Sequence, residues 1–126
     1  MNKLYIPTSL GELVDKLTIL EIKSHKFKGS SLKNVEKELS LLKNILFGLK
    51  LDINNDLINK LKKINTKLWN IEDSIRECER KKIFNDNFIL LARSVYKFND
   101  ERASIKRKIN LKYGSDLIEE KSYSEY

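Results

Sequence analysis

Residues 57–109, LINKLKKINTKLWNIEDSIRECERKKIFNDNFILLARSVYKFNDERASIKRKI, carry two apolar series that mirror each other. Leu57, Leu61, Ile64, Leu68, Ile71, Ile75 and Cys78 step alternately by four and three; Phe88, Leu91, Val95, Phe98, Arg102, Ile105 and Ile109 step by three and four. Folding the chain back at the link around Phe84 to Asp86 sets Cys78 opposite Phe88, Ile71 opposite Val95, Ile64 opposite Arg102 and Leu57 opposite Ile109. Steps of three and four keep one helix face apolar, and the reversed order is what an antiparallel partner requires. The spacing therefore predicts a long antiparallel coiled-coil hairpin, with Arg102 at an otherwise apolar position.

Upstream, Ser9 and Glu12 have the spacing of a capping box after Pro7 and open a helix over about 9–26, with His25 and Lys26 at its negative end. Lys28 to Ser31 interrupts the pattern. Ser31 can then cap a second helix over about 32–48, striped by Leu32, Val35, Leu39, Leu42, Leu46 and Leu49. The turn cluster Asp52 to Asn55 precedes a third helix over about 56–82, and a fourth over about 86–112 stops at Gly114. A polar tail, 115–126, follows, with room for one helical turn at Asp116 to Glu120. The apolar content of Leu4, Tyr5 and Ile6 predicts that the first residues pack. No stretch alternates like a strand. The expected class is all-α, a helical bundle built on the long hairpin plus a shorter helical pair, with 1–126 as one domain.

Lengths add a second expectation. Helices of about 27 residues span roughly 40 Å and those of about 17 roughly 25 Å, so the short pair cannot cover the hairpin. Apolar surface is left over, and a closed homodimer is the simplest way to bury it; another protein partner would serve the same end. The net charge of +7 invites a nucleic-acid reading, but 20 of the 25 basic residues are lysines spread along the chain and only five are the arginines that forked phosphate and base contacts favour. Solvated helix faces account for that distribution, and nucleic acid is an unlikely partner. One cysteine, no membrane-length apolar run and no apolar leader in MNKLYIPTS predict a cytoplasmic protein with no membrane partner. Cys78 is expected to be buried in the hairpin seam.

Function rests on the polar residues in apolar places. One flank of the hairpin carries Ile58, Asn65, Trp69, Glu72 and Arg76 with Ile89, Ala92, Tyr96, Asn99, Ala103 and Lys106, and is the predicted docking face for the short pair or a partner subunit. Glu21 falls between Leu10 and Val14 on the first helix's apolar face, and Arg102 lies in the seam. A lone buried charge costs several kcal/mol, so each needs a partner. The expectation is one network of Glu21, Glu72, Arg76 and Arg102 with Asn65 and Asn99. On one reading it fixes register and partner choice. On the other, Arg76, Arg102 and Lys106, assisted by Glu72 or Glu21, hold a small anionic ligand, as small cofactor-free helical enzymes do; the all-helical chorismate mutases show such Arg/Lys/Glu sites, without an aligned motif here. No catalytic residue, metal or cofactor is implied: Glu-x-x-His spacing and Gly-rich loops are absent, and one His supports no His-rich zinc site. The NDER run, Asn99 to Arg102, scatters over different helix faces. The first expectation is a non-enzymatic interaction or assembly module; the alternatives are the anion-binding enzyme or binder, then a weak nucleic-acid binder.

The strings GELVDKLTILEIK from Gly11, LWNIEDSIR from Leu68, LARSVY from Leu91, NDERASIKRKIN from Asn99 and EEKSY from Glu119 resemble an uncharacterised bacterial family of single-domain proteins over nearly the whole chain. The resemblance implies a small cytoplasmic helical domain of unknown role. It places Asp15, Lys16, Trp69, Glu72, Asp73, Arg76, Arg93 and the NDER residues inside the family's strings.

Overall fold

The computed structural model describes residues 1–126 as four helices without a strand: α1 (Leu10–Lys26), α2 (Gly29–Gly48), α3 (Asn55–Lys81) and α4 (Asp86–Lys112). The fold is an all-α helical bundle. Local chemistry sets the ends. Ser9 Oγ accepts from the Glu12 amide at 3.1 Å, Asn54 caps α3 and Asn85 caps α4. Only half of the expected capping box forms, because the Glu12 carboxylate turns to Lys106 instead of its own helix start. Helix α2 begins at Gly29 rather than near Leu32: extended Lys28 and left-handed Gly29 (φ 63°) reverse the chain at once, with no side-chain cap from Ser31.

Helices α3 and α4 pack along each other through a link of four residues, and α1 lies against α2, α3 and α4, whereas α2 packs closely on α1 alone. Leu10 and Val14 of α1 meet Leu61 and Ile64 of α3 and Ile105 and Ile109 of α4 in the central core. Leu61 and Ile109 are wholly buried, so truncating either to Ala should cost about 2–5 kcal/mol. Helix α1 is the hub because it offers two faces: Leu13, Leu17 and Leu20 are buried on one side, Gly11, Asp15, Thr18 and Ile22 on the other.

The core occupies only one end of the α3–α4 pair. Between Asn65 and Ile105 no residue is fully buried. Cys78, expected inside the seam, is half-buried there. Leu4, Tyr5 and Ile6 stand exposed instead of packing. The tail also departs from expectation. No helical turn forms at Asp116 to Glu120; from left-handed Gly114 the chain runs back along α4 without regular secondary structure. A one-turn helix is poorly nucleated, and side chains of the tail find partners on α4 instead.

Closest approach between α1 and α4 occurs at Gly11. A Cβ there would stand 2.6 Å from the Lys106 carbonyl oxygen and 3.0 Å from Asn110 Oδ1, whereas one at Gly48 would meet nothing within 4 Å. Gly11→Ala must push two helices apart and should cost about 1–3 kcal/mol in urea denaturation. Gly48→Ala, in a helix and in open space, should be neutral or stabilise by up to about 1 kcal/mol. Equal effects would refute the close approach.

Candidate functional site

The first turn of α1 leaves its amides without partners inside the helix, and the end of α4 supplies them. Gly11 N–H donates to Asn110 Oδ1 at 2.6 Å and Leu10 N–H to Ser115 Oγ at 3.0 Å. With α1 seated, Asp15 is carried into the interior, 1% exposed. Its Oδ1 accepts from Asn65 Nδ2 and from Arg102 Nε, both at 2.9 Å, while Oδ2 accepts from Arg102 Nη2. Thr18 Oγ1 accepts from Asn65 Nδ2 at 2.8 Å and donates to the Asp15 carbonyl at 2.7 Å. Three helices are joined at one carboxylate, and a two-pronged guanidinium contact is among the stronger charge-assisted arrangements.

Lys106 sits beside this pair with a side chain 10% exposed. Its Nζ donates to Glu12 at 2.6 Å and to Glu119 of the tail at 3.0 Å, with Asp15 at 4.0 Å. Burial pulls its pKa down, but the hydrogen bonds to Glu12 and Glu119 and the nearby Asp15 outweigh that, so the net shift is upward. The hydrogen bonds to Asp15 raise Arg102 against an opposing burial effect. Glu119, bonded to Lys121 and Lys106, is lowered to about 2. Farther along the tail, Arg107 meets Glu120 at 3.0 Å, and the Tyr126 hydroxyl donates to Asp100 at 2.6 Å. Tyr126 also packs edge-on against Tyr96, ring centres 5.2 Å apart. The tail thus bridges over α4 and encloses an open groove of about 840 Å³.

Of the residues singled out in the sequence, Arg102, Lys106 and Asn65 come together, and Asn99 lines the groove nearby. The single network does not form. Arg76 is 80% exposed and reaches only Glu72, 3.9 Å away on its own helix, because α1 ends before that level of α3. Glu21 is half-exposed rather than central; it lies where α1 is flanked by α2 and α3, bridging Lys62 at 3.0 Å and Lys43 at 4.0 Å. The NDER run is less scattered than its wheel suggests, since Asn99, Asp100 and Arg102 line one groove and Glu101 faces the opposite side. Trp69 is a packing anchor, its ring 6.2 Å from Phe27. Sequence reasoning took Glu12 only as a capping residue, met Asp15 and Glu119 only inside the family's strings, and passed over Thr18 and Asn110. The usable signal was that Gly11, Asp15, Thr18 and Ile22 step by four, three and four, as do Asn99, Ala103, Lys106 and Asn110. No group of three or more His, Cys, Asp or Glu is placed to hold a metal ion.

Arg102→Ala leaves the buried Asp15 carboxylate with the Asn65 amide and, 4.0 Å away, a Lys106 already engaged by Glu12 and Glu119, and should cost about 3–5 kcal/mol in chemical denaturation. Arg76→Ala should stay within about 0.5 kcal/mol. Because Glu119 titrates lower when docked than when free, the tail's hold is complete above the ordinary value of 4.5 and fades as pH falls toward 2. Amide exchange and backbone NMR of Leu117 to Tyr123 should report that release, and Glu119→Gln should remove its pH dependence.

No curated protein and no solved structure matches this chain. Residues 4–126 do match one family model, described as a family of unknown function (DUF6165), and the chain belongs to that family.

Proposed function

We propose that this protein is a non-enzymatic helical interaction module, working in the cytoplasm as a homodimer whose copies meet through the protruding part of the α3–α4 pair. One observation carries the reading. Between Asn65 and Ile105 nothing is fully buried, and Ile83, Phe84, Ile89, Leu90 and Tyr96 expose 43–59% of their surface. With the mirrored seam read as an antiparallel coiled coil, this is its uncovered stretch, and its α4 flank continues the face on which α1 docks.

A second copy suits it on charge. Residues 69–98 hold six basic and five acidic side chains, close to neutral, against +7 for the whole chain. A two-fold contact sets like charges near like, so the near-neutral segment is where self-association meets least repulsion. No helix is long and apolar enough to cross a membrane. The anion-binding alternative has less support, since Arg102 and Lys106 are already engaged by Asp15, Glu12 and Glu119 and no buried polar side-chain atom lacks a partner. Nucleic-acid binding has Lys60, Lys63, Lys67 and Lys108 around a small depression on the opposite side. Such contacts would weaken steeply with salt.

Light scattering after size exclusion should give twice the chain mass of 14.8 kDa at micromolar concentration. Ile89→Asp with Leu90→Lys, both on exposed positions, should yield a folded monomer with unchanged helical circular dichroism. A wild-type monomer throughout the concentration range would end the reading.

A further inference from the structure

The groove under the tail has a composition that the assembly reading does not use. Its walls hold three acidic side chains, Glu12, Asp100 and Glu119, and three basic ones, Arg102, Lys106 and Lys121. These charges are spent on one another: Lys106 on Glu12 and Glu119, Lys121 on Glu119 at 3.0 Å, and Arg102 on Asp15 behind it. An anion entering here would face three carboxylates, and a cation three ammonium or guanidinium groups. Neither gains without breaking pairs already made. A neutral polar molecule meets no such penalty.

The remaining features suit one kind of neutral molecule. Tyr96 from α4 and Tyr123 and Tyr126 from the tail give the lining aromatic surface, and Val95 and Ala103 add a small apolar part. The Asn99 side chain makes no hydrogen bond within the chain, so its amide can both donate and accept. The paired carboxylates keep free lone pairs, and Arg102 keeps the N–H groups of Nη1, which Asp15 does not use. Aromatic surface beside fixed donors and acceptors, with no net charge, matches a molecule that is apolar on its ring faces and rich in hydroxyls at its edges. The space, about 840 Å³, falls within the roughly 300–1,000 Å³ usual for small-molecule sites.

We infer that the groove between α4 and the C-terminal tail is a binding site for a neutral saccharide, with Tyr96, Tyr123 and Tyr126 as stacking surfaces, Asn99 as a hydroxyl partner and the ion pairs as a fixed frame. The site shares only Tyr96 with the face proposed for self-association, so either can fail without the other. The tail supplies five of the thirteen lining residues, and it is held to α4 at Glu119, Glu120 and Tyr126.

The test is a ¹H–¹⁵N NMR titration of the full chain with maltotriose, cellotriose and chitotriose, run beside ATP and choline as charged probes. At least one trisaccharide should move the Asn99 side-chain amide and the backbone signals of Ala103 and Tyr123 to Tyr126 saturably, with a dissociation constant on the order of 1 mM. Asn99→Ala and Tyr96→Ala lie outside the ion pairs and should each weaken binding by about tenfold, the loss expected for one contact worth about 1.4 kcal/mol; Asn99→Ala should leave other signals in place, and Tyr96→Ala should move only those of Tyr126 and the bare α4 face it touches. The inference is overturned if no trisaccharide shifts these signals, if only ATP or choline does, or if both variants bind as the wild type does. Running the same titration on the Ile89→Asp, Leu90→Lys chain separates the outcomes: saccharide binding there upholds the site whatever becomes of the dimer.

Discussion

Everything in this molecule turns on a carboxylate with no access to water. Asp15 is 1% exposed, and a charge in that position is tolerable only if opposite charge and hydrogen-bond donors reach it from more than one side. Asn65 from α3 and Arg102 from α4 do so, which fixes three helices in rotation and height relative to one another. Hydrophobic packing alone would not: a stripe of Leu and Ile can slide by a turn at modest cost, whereas a two-pronged Arg–Asp contact has one register. Replacing the group by a well-packed apolar set could leave stability unchanged, so its contribution is to specificity of arrangement more than to net free energy.

That constraint explains why α1 enters as it does. Its first turn must lie close to α4, which requires Gly11 to have no side chain and Asn110 and Ser115 to take the amides of Gly11 and Leu10. From there α1 crosses toward α3 and ends beside Trp69, where Phe27 and Lys26 rest on the indole. Seventeen residues reach no farther. The remaining length of α3 and α4 has only its own partner helix to pack against. The division into a cored end and a bare end is therefore a consequence of helix length, already implied by the positions of Ser9, Gly29, Asn54 and Asn85.

The helices were legible in the sequence because their marks are local: caps, turn clusters and apolar spacing. The α3 and α4 boundaries fall within a residue of expectation. The site was legible only in part. Arg102 declared itself by standing in an apolar series, and Asn65 by its flank. Asp15 did not, because α1 is buried on two faces and a stripe reading Gly, Asp, Thr, Ile is easily mistaken for the boundary of the other. Glu21, placed at the centre by the wheel, lies at an edge, since a wheel gives angles within a helix and not where its neighbours sit. Arg76 and Glu72 share a flank with Asn65, but a flank is continuous only as far as something covers it. The tail was beyond sequence reasoning, since its partners on α4 are set by tertiary contact and not by period.

Lys106 draws these strands together. It is the point where α1, through Glu12, and the tail, through Glu119, compete for one ammonium on α4. Withdrawing the tail leaves Glu12 and Asp15 to hold that charge, so the bundle can survive without it while the groove cannot. Stability of the fold and completeness of the groove are thus set by different contacts on the same residue. Tyr96 stands at a second junction: it is part of the bare α4 face and of the groove wall, and its ring meets Tyr126. A partner resting on that face would restrict Tyr96, and through it the end of the tail. Any binding in the groove would then be linked to association, and by thermodynamic reciprocity each would change the other by the same factor. The sign of that linkage follows from whether the partner holds Tyr96 against Tyr126 or draws it away.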